Sequence, residues 1–117
     1  MASMRTFRFL AWCCVVALSM PSSGAGWAQD LPTFKLIARE GKWFPEVLDV
    51  PANTRFRLEI TNQNAGPEEF ESKELHKELV LAPGVTRVLV FAPMKPGTYP
   101  FFGEFHPQTA RGRILVK

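Results

Sequence analysis

Arg55-Phe56-Arg57-Leu58-Glu59-Ile60-Thr61 decides the fold class. Phe56, Leu58 and Ile60 recur at every second position, and Arg55, Arg57 and Glu59 fill the places between. A period of two puts apolar side chains on one face of an extended strand and charged ones on the other, a pattern that does not suit a helix. The flanking sequence repeats the theme in shorter pieces. Thr33–Arg39 alternates, with Phe34 and Leu36 on one side and Lys35 and Ile37 on the other. Glu46–Val50 closes at Pro51, Glu78–Leu81 runs into Ala82-Pro83-Gly84, and Thr86–Phe91 runs into Ala92-Pro93. Thr98–Phe105 and Arg113–Lys117 complete a set of about seven strands, which predicts an all-β, two-sheet sandwich. Asn62–Pro67 reads as a loop from its turn-forming residues, and Ser72–Lys77 as a single helical turn.

The chain has 117 residues, 46% of them hydrophobic, and a formal charge of +3. Its first 28 residues differ from the rest. Arg5 and Arg8 precede an apolar run from Phe9 to Met20, and small residues follow as far as Gly26-Trp27-Ala28. That is the layout of a secretory signal peptide; a membrane span would need about 20 apolar residues. Residues 1–28 are therefore expected to be removed, leaving one domain over 29–117 and no membrane span in the mature chain. Cys13 and Cys14 leave with the leader, so the mature domain has no disulfide and no thiolate ligand. Twelve Lys and Arg against eleven Asp and Glu remain, too even a balance for a nucleic-acid-binding field. A sandwich this small must draw its stability from its ten aromatic residues.

Two segments carry more polar chemistry than a plain sandwich needs. In Glu68-Glu69-Phe70-Glu71, strand alternation turns Glu69 and Glu71 to one face and Phe70 into the core. In Phe101-Phe102-Gly103-Glu104-Phe105-His106-Pro107, Glu104 and His106 stand two apart. If the two strands are neighbours, Glu69, Glu71, Glu104 and His106 surround one cation, with Glu68 and Glu78 in reserve. Three carboxylates and an imidazole suit iron, manganese, zinc or Cu(II), and not Cu(I), which prefers sulfur. The bland reading of the acids is a solvated edge that discourages aggregation. His76 reads as part of a solvated charged face, Met94 as core filling and Trp43 as a core anchor. No serine–histidine–aspartate motif or phosphate-cradling glycine loop is present, so hydrolase and nucleotide-enzyme readings fall away.

Phe44-Pro45, Leu48–Ala52, Arg55–Leu58, Glu69–Ser72, Lys95-Pro96-Gly97-Thr98-Tyr99 and Phe101–Pro107 together follow a cupredoxin pattern in order. The chain most resembles the EfeO-type cupredoxin-like domain, a group that includes small periplasmic proteins of bacterial Ftr- and Efe-type ferrous-iron uptake systems. The resemblance implies a cupredoxin-like Greek-key β-sandwich, export to the periplasm, and iron or copper bound for hand-over to a periplasmic iron-binding partner or an inner-membrane iron permease. It also brings ferrous-iron oxidation into view as an activity. Blue-copper members of the fold place a cysteine where this chain has Gly103, and a methionine after the histidine, where it has Pro107–Arg111. A type 1 blue-copper centre is thus not expected. The alternative reading is a metal-free sandwich acting as an interaction module of a periplasmic transport complex.

Overall fold

A computed structural model describes residues 31–117. The expected leader, its cleavage point and both cysteines lie outside these residues. Nine strands form two sheets: β1 Thr33–Arg39, β2 Lys42–Phe44, β3 Val47–Val50, β4 Phe56–Asn62, β5 Glu68–Ser72, β6 Lys77–Leu81, β7 Thr86–Phe91, β8 Gly97–Gly103 and β9 Arg111–Val116. The first sheet runs β2-β1-β4-β7 and the second β3-β9-β8-β5-β6. Among the described residues there is no helix, and none long and apolar enough to cross a membrane.

The alternation in β4 is realised along its length. Phe56, Leu58 and Ile60 are buried, Arg57 and Glu59 are not, and Asn62 ends the strand inside the core. Leu36 and Ala38 of β1 join them, and Leu48, Phe70, Leu81, Phe101, Ile114 and Val116 face them from the second sheet. Phe56 stacks on Phe91 at 4.9 Å, and Trp43 meets Phe70 and Phe101 edge to face, each at 5.9 Å. Such pairs add about 0.5–1.5 kcal/mol each beyond the area they bury. Trp43 is the core anchor the sequence suggests, and Met94 packs against the core from its edge.

Nine strands replace the expected seven or so. β2 has only three residues, too few for alternation to register, and β5, whose face pattern the sequence does show, adds a strand to the seven counted from apolar runs. The turn at residues 73–76 is not helical: it is the tip of the β5–β6 hairpin, with the His76 N–H on the Lys73 carbonyl at 3.3 Å. β8 stops at Gly103, two residues short of expectation. There the Gly103 N–H reaches the Ala110 carbonyl at 2.7 Å and the chain turns back. Phe105 is consequently 51% exposed at the tip of that turn.

Candidate metal centre

β5 is the central element of the site, and its two faces do different things. Glu68, Phe70 and Ser72 point inward and are fully buried. Glu69 and Glu71 take the opposite face, as alternation requires. The hairpin register places Glu78 of β6 directly across from Glu71. β8 pairs with the other edge of β5, and the Glu104 N–H donates to the Glu69 carbonyl at 3.2 Å, which brings the Glu104 side chain to the same region.

As a result Glu69, Glu71, Glu78 and Glu104 each offer a carboxylate oxygen within 4.8 Å of the others. Oxygen ligands on opposite sides of one Mg²⁺- to Ca²⁺-like cation stand about 4–5 Å apart, so this spacing fits a single ion. Among the described residues two ion pairs form, Glu68 with His106 and Lys117 with Asp49, and neither involves these four carboxylates. Like charges opposed on neighbouring strands are destabilising when nothing separates them. Glu69 bears most of that strain, being only 6% exposed. Burial first, then its contacts with Glu78 and Glu104, push its carboxyl up to about 8. Glu71 is raised too, by desolvation and by the proximity of Glu104 and Glu78, with Lys73 acting weakly the other way.

Three of the four ligands expected from the sequence, Glu69, Glu71 and Glu104, thus come together, joined by the reserve residue Glu78. His106 does not join them. Period-two alternation ends with β8 at Gly103, so Glu104 and His106 lie in a turn and do not share a strand face. The imidazole instead meets the other reserve residue, with His106 Nδ1 2.6 Å from Glu68 Oε2. Glu68 Oε1 accepts the N–H groups of Glu69 at 3.0 Å and Phe105 at 3.3 Å. This buried carboxylate is fully provided with donors.

Two glycines make room for that pair. A Cβ on Gly103 would lie 2.7 Å from Glu68 Cδ, and one on Gly41, whose φ of +67° already favours glycine, would lie 3.0 Å from His106 Cδ2. The Thr109 hydroxyl donates to the Gly41 carbonyl at 2.6 Å, so the β1–β2 and β8–β9 turns are tied together around the imidazole. Asn62 secures the third loop: its amide donates to the carbonyls of Gly66 and Leu81, fixing the approach to Glu68. His76 stays exposed on the hairpin tip, as expected for a solvated face.

Residues 7–116 match the family described as Cupredoxin-like domain. The chain belongs to that family. The protein RP394 of Rickettsia prowazekii (strain Madrid E) is 42% identical over 82 residues, covering 70% of this chain and 66% of that relative, just under two thirds of its length. Reduced auracyanin from Roseiflexus castenholzii superposes with a TM-score of 0.63 at 14% identity, over 73% of this chain and 96% of that one. The metal-binding domain of the Cu(I)-exporting P-type ATPase CopA of Streptococcus pneumoniae D39 gives 0.62 at 13% identity, over 73% and 84%. Auracyanin A, a blue copper protein from Chloroflexus aurantiacus, gives 0.61 at 16%, over 73% and 98%. At these identities the likeness establishes the cupredoxin fold and nothing about the ligands.

The residues do not fit a type 1 copper centre. Residues 31–117 contain no cysteine, the backbone at Gly103 is pressed against Glu68, and the Nδ1 of His106 is engaged by the same carboxylate. The donors gathered on the outer face are all oxygen, the chemistry of hard cations.

Proposed function

We propose that this cupredoxin-like domain is an exported, EfeO-type protein that binds iron on the Glu69–Glu71–Glu78–Glu104 face and hands it to an iron-binding partner or a membrane permease. The observation that carries this reading is the convergence of four carboxylates, one of them almost wholly buried, with no lysine or arginine among the described residues paired to any of them. The leader-like N-terminus and the EfeO-like sequence pattern support export and iron uptake. Iron here is cargo, and two ligands at the rim, Glu78 and Glu104, are exposed, which suits release as well as capture. Concentrated negative charge stabilises the ferric over the ferrous ion. Soft Cu(I) is disfavoured for want of sulfur, since Met94 sits against the core.

Equilibrium dialysis of the mature chain against ferric citrate, anaerobic Fe(II), Cu(II) and Cu(I), with metal counted by mass spectrometry, tests the proposal. One iron per chain is expected, with affinity reduced at least tenfold in Glu78→Gln/Glu104→Gln and changed little in His106→Ala. Failure to retain any transition metal in chelator-free buffer would leave a metal-free interaction module. Loss of binding in His106→Ala alone, with the glutamate variant unaffected, would move the site to the buried pair.

A further inference from the structure

β7, Thr86-Arg87-Val88-Leu89-Val90-Phe91, is an edge of the first sheet, with β4 on one side and, among the described residues, no strand on the other. Its hydrogen-bonding phase follows from β4. The Asn62 N–H donates to the Val85 carbonyl at 3.0 Å, and the register continues with Thr61 opposite Thr86 and Ile60 opposite Arg87. The N–H groups of Arg57 and Gln63 turn the other way, to the Pro32 and Ala38 carbonyls on the β1 side. Hydrogen-bonded and non-hydrogen-bonded pairs alternate along an antiparallel ladder, so Arg87, Leu89 and Phe91 direct their backbone groups to β4. Thr86, Val88 and Val90 direct theirs to the free edge.

Native sandwiches blunt an open edge by making it short or by placing proline or charge on it. Three edges here follow that rule: β2 has three residues, β3 carries Asp49 and ends at Pro51, and β6 carries Lys77 and Glu78. β7 does not. It runs for six residues without proline, and Val88 and Val90 are 52% and 43% exposed. Its one charge, Arg87, alternates to the other face from these valines. What singles out a second copy of the same strand as the occupant is self-complementarity. A two-fold axis through Val88 sets Val88 opposite Val88 of the second copy, and Thr86 opposite Val90 in both directions. All three outward-directed residues then enter hydrogen-bonded pairs, whereas an axis through Arg87 or Leu89 leaves one of them out. The same axis sets Arg87 opposite Leu89 of the second copy, so no like charges face each other across the seam. We infer that two copies of this chain pair antiparallel through β7 about an axis at Val88, which joins their first sheets into one. β7 holds none of the clustered carboxylates, so the dimer stands or falls separately from the metal site.

Sedimentation equilibrium of the mature chain between about 10 µM and 1 mM tests the inference, a range suited to a small contact of modest affinity. The mass should rise from that of one chain toward that of two. Val88→Lys changes a side chain that is already exposed and opposes two ammonium groups at the axis, so the dissociation constant should rise at least about tenfold with the melting temperature little changed. Val88→Pro removes an edge N–H that β4 does not use, and should likewise leave a folded monomer. Residues 29–117 contain no cysteine, so Val88→Cys gives a single thiol, and the axis sets two of them on residues about 5.5 Å apart at Cα. Mild oxidation should link that variant into a dimer, and should not link Val90→Cys, which faces Thr86. A mass of one chain at every concentration would overturn the inference, as would a Val88→Lys dimer as tight as the wild type. Cross-linking of Val90→Cys as readily as Val88→Cys would overturn the axis.

Discussion

Glu68 and Glu69 are neighbours in sequence, are both buried, and have opposite fates. Glu68 points into the sandwich, where two backbone N–H groups and the imidazole of His106 meet its two oxygens. Glu69 points to the outer face, where its nearest charged company is three more carboxylates. One glutamate is a fully satisfied part of the architecture. The other is held in a position that only a cation, or a retained proton, makes comfortable. A buried charge therefore signals structure or function according to whether the fold has already neutralised it.

The largest test of that contrast is Glu68→Ala. Removing the carboxylate leaves a partly exposed imidazole and two N–H groups without an acceptor, and each donor left buried and unpaired costs about 1–3 kcal/mol. Urea unfolding should show a loss of that order. If the variant loses less than Gly103→Ala, the pair does not hold the loops together. Gly103→Ala comes next, because its Cβ would press on Glu68 Cδ at 2.7 Å and on Ala110 Cβ at 2.8 Å. Overpacking of this kind costs about 1–3 kcal/mol, and unfolding of the variant should fall in that interval.

Glu69→Gln has a smaller and more diagnostic effect. With its carboxyl pushed up from 4.5 to about 8, folded Glu69 keeps its proton across a window in which the unfolded chain has lost it. Stability then falls as pH rises through that window. In metal-free buffer the wild type should melt at progressively lower temperature from pH 5 to pH 8. The variant should be flatter, and a slope identical to wild type would exclude Glu69 as its source. Metal binding has the opposite sign, since ligands must shed protons first, so iron affinity should climb between the same two limits. The smallest effect belongs to Glu78→Gln, a slight gain in the melting temperature of the metal-free protein at pH 8 from removing one like charge opposite Glu71.

Most of the fold was legible because alternation is a local signal. β1 and β7 begin and end where the pattern of Thr33–Arg39 and Thr86–Phe91 places them. The shared face of Glu69 and Glu71 was legible for the same reason. What could not be read was the end of β8. Phe102 and Phe105 look alike in sequence, and only the hydrogen bond from Gly103 to Ala110 decides that one is in the strand and the other at the tip of a turn. That single ending removes His106 from the group of carboxylates. Glu78, by contrast, was within reach of the sequence. Reading residues 73–76 as a hairpin tip and not a helical turn sets Glu71 opposite Glu78 at once.

The order β3-β9-β8 gives β9 neighbours on both sides, and its parallel pairing with β3 joins residues 47–50 to residues 113–116. A ribosome-bound chain has no means of completing that sheet until residues 111–116 have been synthesised. Contacts so far apart in sequence also slow the search for the native state. The same topology that builds the sandwich therefore delays it, because the second sheet closes only when its last strand in sequence takes its place between β3 and β8.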